Sequence, residues 1–226
     1  MSRGKHRPGA ADFARLAALS RCSTCERPEP VCVCDRTPKL ETRLSVLVLQ
    51  HPREQDRDLG SAQLLAASLP RCVVAAGLSW RSLEQALGRE IDARRWAVVF
   101  PYKGEEQQLT RGEHRLMGRG EAPVRAKDLQ GLVLLDGSWS QAKTLWWRNP
   151  WLVRLPRVAL SPTEPSIYGS VRREPRNAYL STLEAAADAL VFLGEPEAVR
   201  TELRRVFRVM VQRARDALAA TSSLGA

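Results

Sequence analysis

Short and almost continuous apolar segments alternate with amphipathic stretches along most of this chain. The apolar segments cover residues 44–49, 71–76, 96–100, 132–135 and 158–160. Strands that are apolar on both faces are typical of parallel sheets that helices cover on both sides. The pattern therefore predicts an α/β fold with a mostly parallel sheet and helices on both faces.

Helical and loop patterns fill the chain between these segments. Predicted helices cover residues 11–20, 59–69, 80–88, 139–147, 180–193 and 196–219. Two polar stretches that contain glycine or proline, 103–123 and 161–178, are predicted as loops. Ligands of parallel sheets bind beyond the carboxyl ends of the strands. Functional residues are therefore expected in the segments that follow the strands, at 50–60, 101–110, 136–140 and 161–178.

Four cysteines lie close together near the N-terminus, at Cys22, Cys25, Cys32 and Cys34. Clustered thiols in an intracellular chain favour metal binding over disulfides. Four thiolates complete the tetrahedral shell of Zn²⁺ and leave no open position, which is typical of a structural site. The spacing therefore predicts structural zinc, with an iron–sulfur cluster as the alternative.

The charge balance indicates a polyanionic partner. The chain has 35 Lys+Arg against 25 Asp+Glu, a formal net charge of +10, and most of its basic residues are arginine. Arginine pairs with phosphate and stacks on bases, so this excess favours nucleic-acid binding, with compositional bias as the alternative. No apolar run approaches the roughly 18 residues of a membrane helix, and no secretory signal is evident. We therefore expect a cytoplasmic protein.

Polar residues with catalytic potential follow two of the predicted strands. Asp136 follows the fourth apolar segment and precedes Ser138, which is placed to cap the next helix. A polar run from Gln50 to Glu54 follows the first segment, at the expected rim of a pocket. A simple helix cap and a solvated turn are the alternatives for these two features.

Taken in order, the motifs resemble those of the DTW-domain family. The matching residues are Cys22, Cys25, Cys32 and Cys34, then His51, Pro52 and Glu54 of an HPxE motif, Asp136, Ser138 and Trp139 of the motif that names the family, and Thr182, Glu184 and Ala185 of a TLEA motif. The resemblance covers most of the chain from Cys22 onwards. It departs at Gly60 and Ser61, where the family tends to have Asn-Thr, and after Tyr168, where the chain is one residue longer than usual.

The resemblance implies a tRNA-uridine aminocarboxypropyltransferase related to the SPOUT class. Such an enzyme transfers the 3-amino-3-carboxypropyl group of S-adenosylmethionine to N3 of a uridine in tRNA and releases 5′-methylthioadenosine. The implied fold is SPOUT-like and knotted. Residues 1–40 would form an N-terminal arm with the zinc element, and residues 41–226 the DTW catalytic domain.

The same resemblance assigns roles to individual residues. Asp136 is the expected base for the N3 proton, with Ser138 and Trp139 beside it in the catalytic site. The expected donor-binding residues are His51, Pro52, Glu54, Pro101, Thr182 and Glu184.

Aromatic and basic residues in the C-terminal half are candidate RNA contacts. Trp139, Trp146, Trp147 and Trp151 are placed to stack on bases, and core packing is the alternative for at least two of them. Arg200, Arg204 and Arg208 are spaced to line one side of the last helix, opposite an apolar stripe. They are expected to hold tRNA phosphates, and a solvated helix face is the alternative.

Two other functions fit the same sequence. A SPOUT-class RNA methyltransferase would use the same donor but transfer its methyl group, so the mass of the product separates it from the first function. A zinc-containing RNA-binding protein without catalysis would bind no donor. The sequence leaves open which uridine and which RNAs are modified, and whether the chain forms an oligomer.

Overall fold

A computed structural model describes residues 10–54, 58–100, 109–118, 124–169, 171 and 180–223. Its strands are β1 (Ser45–Gln50), β2 (Cys72–Ala76), β3 (Trp96–Val99), β4 (His114–Met117), β5 (Gly131–Asp136) and β6 (Arg157–Leu160). Its helices are α1 (Ala10–Ala17), α2 (Ser61–Ser68), α3 (Leu83–Leu87), α4 (Trp139–Arg148), α5 (Thr182–Phe192) and α6 (Glu197–Ser223).

The strands form one sheet in the order β2-β1-β5-β3-β6-β4. All neighbouring strands pair in parallel except β4, which pairs antiparallel with β6 at one edge. The prediction of an α/β fold with a mostly parallel sheet is confirmed. Because β1 and β5 are neighbours in register, their last residues, Gln50 and Asp136, lie side by side at the carboxyl edge.

The edge strand β4 corrects the prediction of a loop over residues 103–123, which is wrong for His114–Met117. The sequence of this strand, His-Arg-Leu-Met, does not alternate between polar and apolar residues, so it does not indicate a strand. In the structure none of its residues is fully buried. Its partner β6 supplies the pairing, with His114 opposite Leu160. The strand is therefore formed by tertiary contact rather than by local sequence preference.

Alternate residues of the central strands build two apolar layers, one on each face of the sheet. On β1, Val46 and Val48 pack with α1, α2, α5 and α6, whereas Leu47 and Leu49 pack with α3 and α4. The predicted helices on both faces are confirmed. Helix α6 buries its predicted apolar stripe of Val199, Leu203, Val206, Met210 and Ala214. Among the described helices, none has both the length and the apolar run that a bilayer requires.

Candidate active site and metal centre

Asp136 occupies a buried position at the carboxyl edge of the sheet, where it is 6% exposed. Gln50 donates from Nε2 to Asp136 Oδ2 at 2.7 Å. Gln63 of α2 in turn donates from Nε2 to Gln50 Oε1 at 2.9 Å. The two amides form a relay that runs from α2 across β1 and fixes one oxygen of the carboxylate.

Helix α5 supplies the partner of the other oxygen. Thr182, its first residue, donates its hydroxyl to Asp136 Oδ1. An ionised carboxylate offers about four lone-pair positions, and these two hydrogen bonds occupy one on each oxygen. The arrangement orients the carboxylate and leaves acceptor positions for a proton on a bound substrate.

The turn between β5 and α4 requires its glycine. A Cβ at Gly137 would lie 2.8 Å from Gln141 Cβ, and the backbone φ of +153° is one that side-chain-bearing residues rarely adopt, so a larger residue would displace Gln141. Ser138 caps α4 by accepting from the backbone N–H of Gln141, whose side chain accepts from Ser138 N at 2.6 Å. The predicted helix cap at Ser138 is present, next to a carboxylate that the cap does not use.

The run from His51 to Glu54 forms a tight turn beside Asp136. The backbone N–H of His51 donates to the Asp136 carbonyl oxygen at 2.9 Å, and a single 3₁₀ turn, Pro52–Glu54, follows. Glu54 is 3% exposed, so its carboxyl group belongs to the interior. The structure thus places His51 and Thr182 in contact with Asp136, and Glu54 one short turn away. Pro101 lies outside the described residues.

Glu184 joins α5 to the segment that follows β6. Its buried carboxylate accepts from the Ser166 hydroxyl at 2.7 Å and from the Ile167 N–H at 2.9 Å. It also accepts from the N–H and the hydroxyl of Ser181, completing a capping box at the start of α5. Because both oxygens are engaged within the fold, we expect Glu184 to influence a bound donor through the segment that it holds.

The four candidate tryptophans divide between the interior and the surface. Trp146 is buried and stacks on Phe100, with ring centroids 4.5 Å apart. Trp139 stacks on the same ring at 5.7 Å. Trp151 donates its indole N–H to a backbone carbonyl oxygen at 3.0 Å. Trp147 is 77% exposed and is the most exposed of the four.

The four N-terminal cysteines form a compact cluster whose ligand atoms all lie within 4.8 Å of one another. The Sγ atoms of Cys22 and Cys34 are 3.9 Å apart, and those of Cys25 and Cys32 are 3.7 Å apart. A tetrahedron with Zn–S bonds of about 2.3 Å has edges of about 3.8 Å. The cluster therefore fits Zn²⁺. Backbone N–H groups of Cys25 and Thr24 lower the pKa of the Cys22 thiol to about 6, whereas burial raises the pKa values of Cys32 and Cys34.

The cysteine cluster is attached to the last helix by a bidentate ion pair. Arg213 of α6 binds both carboxylate oxygens of Asp35 at 2.9 and 3.0 Å. The same guanidinium donates to the backbone carbonyl oxygen of Cys32, a residue of the cluster. Loss of the cluster's geometry would therefore remove contacts of α6 and destabilise the core that α6 covers.

The same N-terminal element also reaches the segment after β1. Arg27 is buried and donates to the Gly60 carbonyl oxygen at 2.9 Å, at the start of α2. From the opposite side, Tyr168 donates its hydroxyl to the Leu59 carbonyl oxygen at 2.5 Å. The end of this segment is therefore fixed by two distant parts of the chain.

Gln63 is the residue at this site that sequence reasoning missed. A signal was present, since Gln63 is a long polar side chain among the buried positions Ser61, Ala62, Leu64 and Leu65 of α2. Its meaning depends on the packing of α2 over the end of β1, which the sequence does not state.

The relay leads to a prediction for Gln63→Ala. Without the Gln63 donor, the Gln50 amide loses the bond that directs its N–H group towards Asp136. A neutral hydrogen bond is worth about 0.5–1.5 kcal/mol, so kcat is expected to fall about 2- to 10-fold with little change in the KM for the donor. Steady-state kinetics beside Gln85→Ala, an exposed glutamine of α3, measures the effect. Equal kcat in the two variants would show that Gln63 does not help to orient the Asp136 carboxylate.

Comparison with known proteins adds a second line of evidence. The sequence model of the DTW domain matches residues 19–215. The chain is 33% identical over 193 residues to "tRNA-uridine aminocarboxypropyltransferase 2" of Mus musculus, covering 84% of this chain and 61% of that protein. The Drosophila melanogaster protein of that name is 32% identical over 196 residues, covering 82% of this chain and 71% of its own length.

A plant relative is similar at lower identity. The Arabidopsis thaliana "tRNA-uridine aminocarboxypropyltransferase A" is 27% identical over 216 residues, covering 84% of this chain and 79% of that protein. The chain spans 61% of the length of the mammalian relatives that it matches. No solved structure matches the chain.

Proposed function

The chain belongs to the DTW domain family, and we propose that it is a tRNA-uridine aminocarboxypropyltransferase. The proposed reaction moves the 3-amino-3-carboxypropyl group of S-adenosylmethionine to N3 of a uridine in tRNA. The observation that carries the proposal is the buried carboxylate of Asp136, held on both oxygens at the carboxyl edge of a parallel sheet. This edge is where such sheets bind their ligands.

The reaction is a displacement in which N3–C bond formation accompanies C–S bond cleavage. The donor supplies an activated carbon attached to a sulfonium, and the electron pair of the broken bond leaves on the sulfur of 5′-methylthioadenosine. The weakly acidic N3–H must lose its proton, and Asp136 is the proposed acceptor. Gln50 and Thr182 orient that carboxylate and leave a lone-pair position on each of its oxygens. Orientation of the two reactants supplies much of the remaining acceleration.

The proposed donor site lies around Asp136. His51 and Thr182 contact Asp136 directly, and Pro52 and Glu54 follow in the adjoining turn. Ser138 and Trp139 begin α4 on the other side of the carboxylate. Together with Pro101 and Glu184, these residues remain the predicted donor and catalytic set.

The metal is proposed to be structural zinc on Cys22, Cys25, Cys32 and Cys34. Four protein ligands leave no open coordination position, so the metal would hold the N-terminal element together rather than contact a substrate. The bond from Arg213 of α6 to the Cys32 carbonyl oxygen and the bond from Arg27 to the Gly60 carbonyl oxygen, at the start of α2, support this role.

Two finer features of the fold and its setting are also part of the proposal. A SPOUT-like, knotted path is proposed from the resemblance of the sequence motifs to the family. An experimentally traced chain that does not thread on closing its ends would contradict it. The cytoplasm is the proposed compartment, because tRNA is the proposed substrate.

Nucleoside mass spectrometry of tRNA from cells with and without this gene tests the function. The proposal predicts that 3-(3-amino-3-carboxypropyl)uridine is lost, or falls, when the gene is deleted, and returns with the intact gene. Loss of a methylated uridine instead would favour the methyltransferase. An unchanged set of modified nucleosides would contradict catalysis on tRNA.

A further inference from the structure

A cavity of about 350 Å³ lies beyond the end of β6. Its walls come from β4, the segment after β6, α5 and α6, and include His114, Thr163, Asp188, Arg200, Arg204 and Arg208. None of the described residues that contact the Asp136 carboxylate lines it. The cavity is therefore separate from the candidate active site.

Helix α5 connects the cavity to the active site. Thr182 of this helix contacts Asp136, and Asp188, six residues later in the same helix, lines the cavity. At 1.5 Å per residue the two positions are about 9 Å apart along the helix axis. A polymeric substrate bound at Asp136 would pass close to the cavity.

One buried carboxylate organises two of the arginines. The side chain of Asp188 is 7% exposed, and its Oδ1 lies 3.7 Å from Arg204 Nη1 and 3.9 Å from Arg200 Nη1. Burial raises the pKa of Asp188, and the two arginines oppose that shift. Because the Asp188 side chain is buried in the wall of the cavity, its carboxylate stays in place and keeps both guanidiniums at the cavity.

The other acidic partners, Glu164 and Glu197, also line the cavity, but their side chains are more exposed. Arg204 contacts Glu164 at 2.8 Å, and the Glu164 side chain is 64% exposed. Arg200 contacts Glu197 at 2.7 Å, and the Glu197 side chain is 58% exposed. Because both glutamate side chains are more than half exposed, each can turn towards solvent when an anion takes its place at the guanidinium.

Further donors complete the lining. Arg208 is exposed and makes no ion pair with any of the described residues. His114 accepts from Ser161 N at Nδ1, at 3.4 Å, so its Nε2 carries the proton when the ring is neutral. Three guanidiniums and three carboxylates therefore line the cavity. An anion that displaced Glu164 and Glu197 would meet three guanidiniums and the single carboxylate of Asp188.

We infer that this cavity binds a backbone phosphate of the RNA substrate, adjacent to the nucleotide held at Asp136. The inference rests on the proposed function for the identity of the polymer. A guanidinium group can bind two phosphate oxygens at once in a bidentate geometry. Such a contact does not depend on the base sequence of the RNA. It would fix the position of the RNA strand while the uridine enters the active site.

The test compares two arginine variants with a matched control. Arg208→Gln removes an exposed side chain, and Arg204→Gln with Arg208→Gln removes two of the three guanidiniums while Arg200 still pairs with Asp188. Arg205→Gln is the control, because Arg205 is on the same helix but pairs with Glu202 and does not line the cavity. The affinity for tRNA is measured over a series of salt concentrations, with circular dichroism to verify folding.

The double variant is expected to bind tRNA roughly tenfold more weakly at low salt, as for a lost charged hydrogen bond. Its log–log salt slope should be smaller by about one unit, since one phosphate contact is lost. Arg208→Gln should move both quantities in the same direction and Arg205→Gln should move neither. Calorimetric binding of free S-adenosylmethionine should be the same in all variants.

Two outcomes would overturn the inference. If Arg208→Gln and the double variant keep the salt slope of the unmodified protein, the arginines are a solvated face. If the double variant loses affinity for S-adenosylmethionine but not for tRNA, the cavity serves the donor carboxylate. Failure of the proposed function has a different signature: the unmodified protein would bind tRNA with the expected slope but form no aminocarboxypropyl product.

Discussion

Asp136→Asn is expected to lower the rate of transfer about 10²- to 10⁴-fold, the usual effect of losing a general base. The fold should be unaffected, because an asparagine satisfies the same partners. Its carbonyl oxygen can accept from Gln50 Nε2, and its amide N–H can donate to the Thr182 hydroxyl, which both donates and accepts. Single-turnover kinetics with tRNA measures the loss, and the Tm should shift by only a few degrees.

The control for this experiment is Asp128→Asn, an exposed aspartate that pairs with Arg125 outside the site. It should retain full activity. Calorimetry should find donor binding by Asp136→Asn close to that of the unmodified protein. Near-normal turnover of Asp136→Asn would move the base elsewhere, and Glu54 would then be the better candidate, because both oxygens of Glu184 are engaged in the fold.

Cys25→Ala is expected to unfold or severely destabilise the protein. An incomplete ligand set binds zinc weakly, and the free energy of metal binding is folding free energy in such elements. Loss of a metal is among the few single changes that cost on the order of 4 kcal/mol or more, which lowers the Tm of a chain of this size by roughly 10 °C or more. The effect should reach the core through Arg213, which joins the cluster to α6.

The matched control is Cys72→Ala in β2, outside the cluster. Burial raises the pKa of Cys72 to about 12, so this residue stays a neutral thiol. Replacing it should lower the free energy of unfolding far less than replacing Cys25. Metal analysis should find one zinc per chain in Cys72→Ala and less in Cys25→Ala. Iron in place of zinc, or a folded and metal-free protein, would contradict the structural zinc site.

The sequence was most informative where a single segment specifies its own structure. The apolar runs that became β1 and β5 are buried on both faces, so their hydrophobicity alone indicates central strands. The order of these strands in the sheet cannot be inferred from the same local pattern. The pairing of Gln50 with Asp136 depends on β1 and β5 being neighbours, although 86 residues separate the two side chains.

The last helix shows how long-range contacts change an interpretation. Its spacing predicts a row of arginines facing solvent, which holds for Arg208 but only in part for Arg204, whose side chain is 12% exposed. Arg204 lies close to Asp188 of the preceding helix, α5. The spacing of residues along α6 cannot indicate a contact with another helix. The same reason explains why Gln63 and the strand β4 were missed, since each depends on a partner distant in sequence.

Transfer of the aminocarboxypropyl group can be followed directly with purified protein, tRNA and S-adenosylmethionine that is labelled separately in its methyl group and in its aminocarboxypropyl carbons. Digestion of the tRNA to nucleosides and mass spectrometry then follow each label. For the proposed transferase, the aminocarboxypropyl label is expected to enter a uridine and the methyl label to leave with 5′-methylthioadenosine. Methyl label on a uridine, or no labelled nucleoside from a folded protein with its metal bound, would contradict the proposed function.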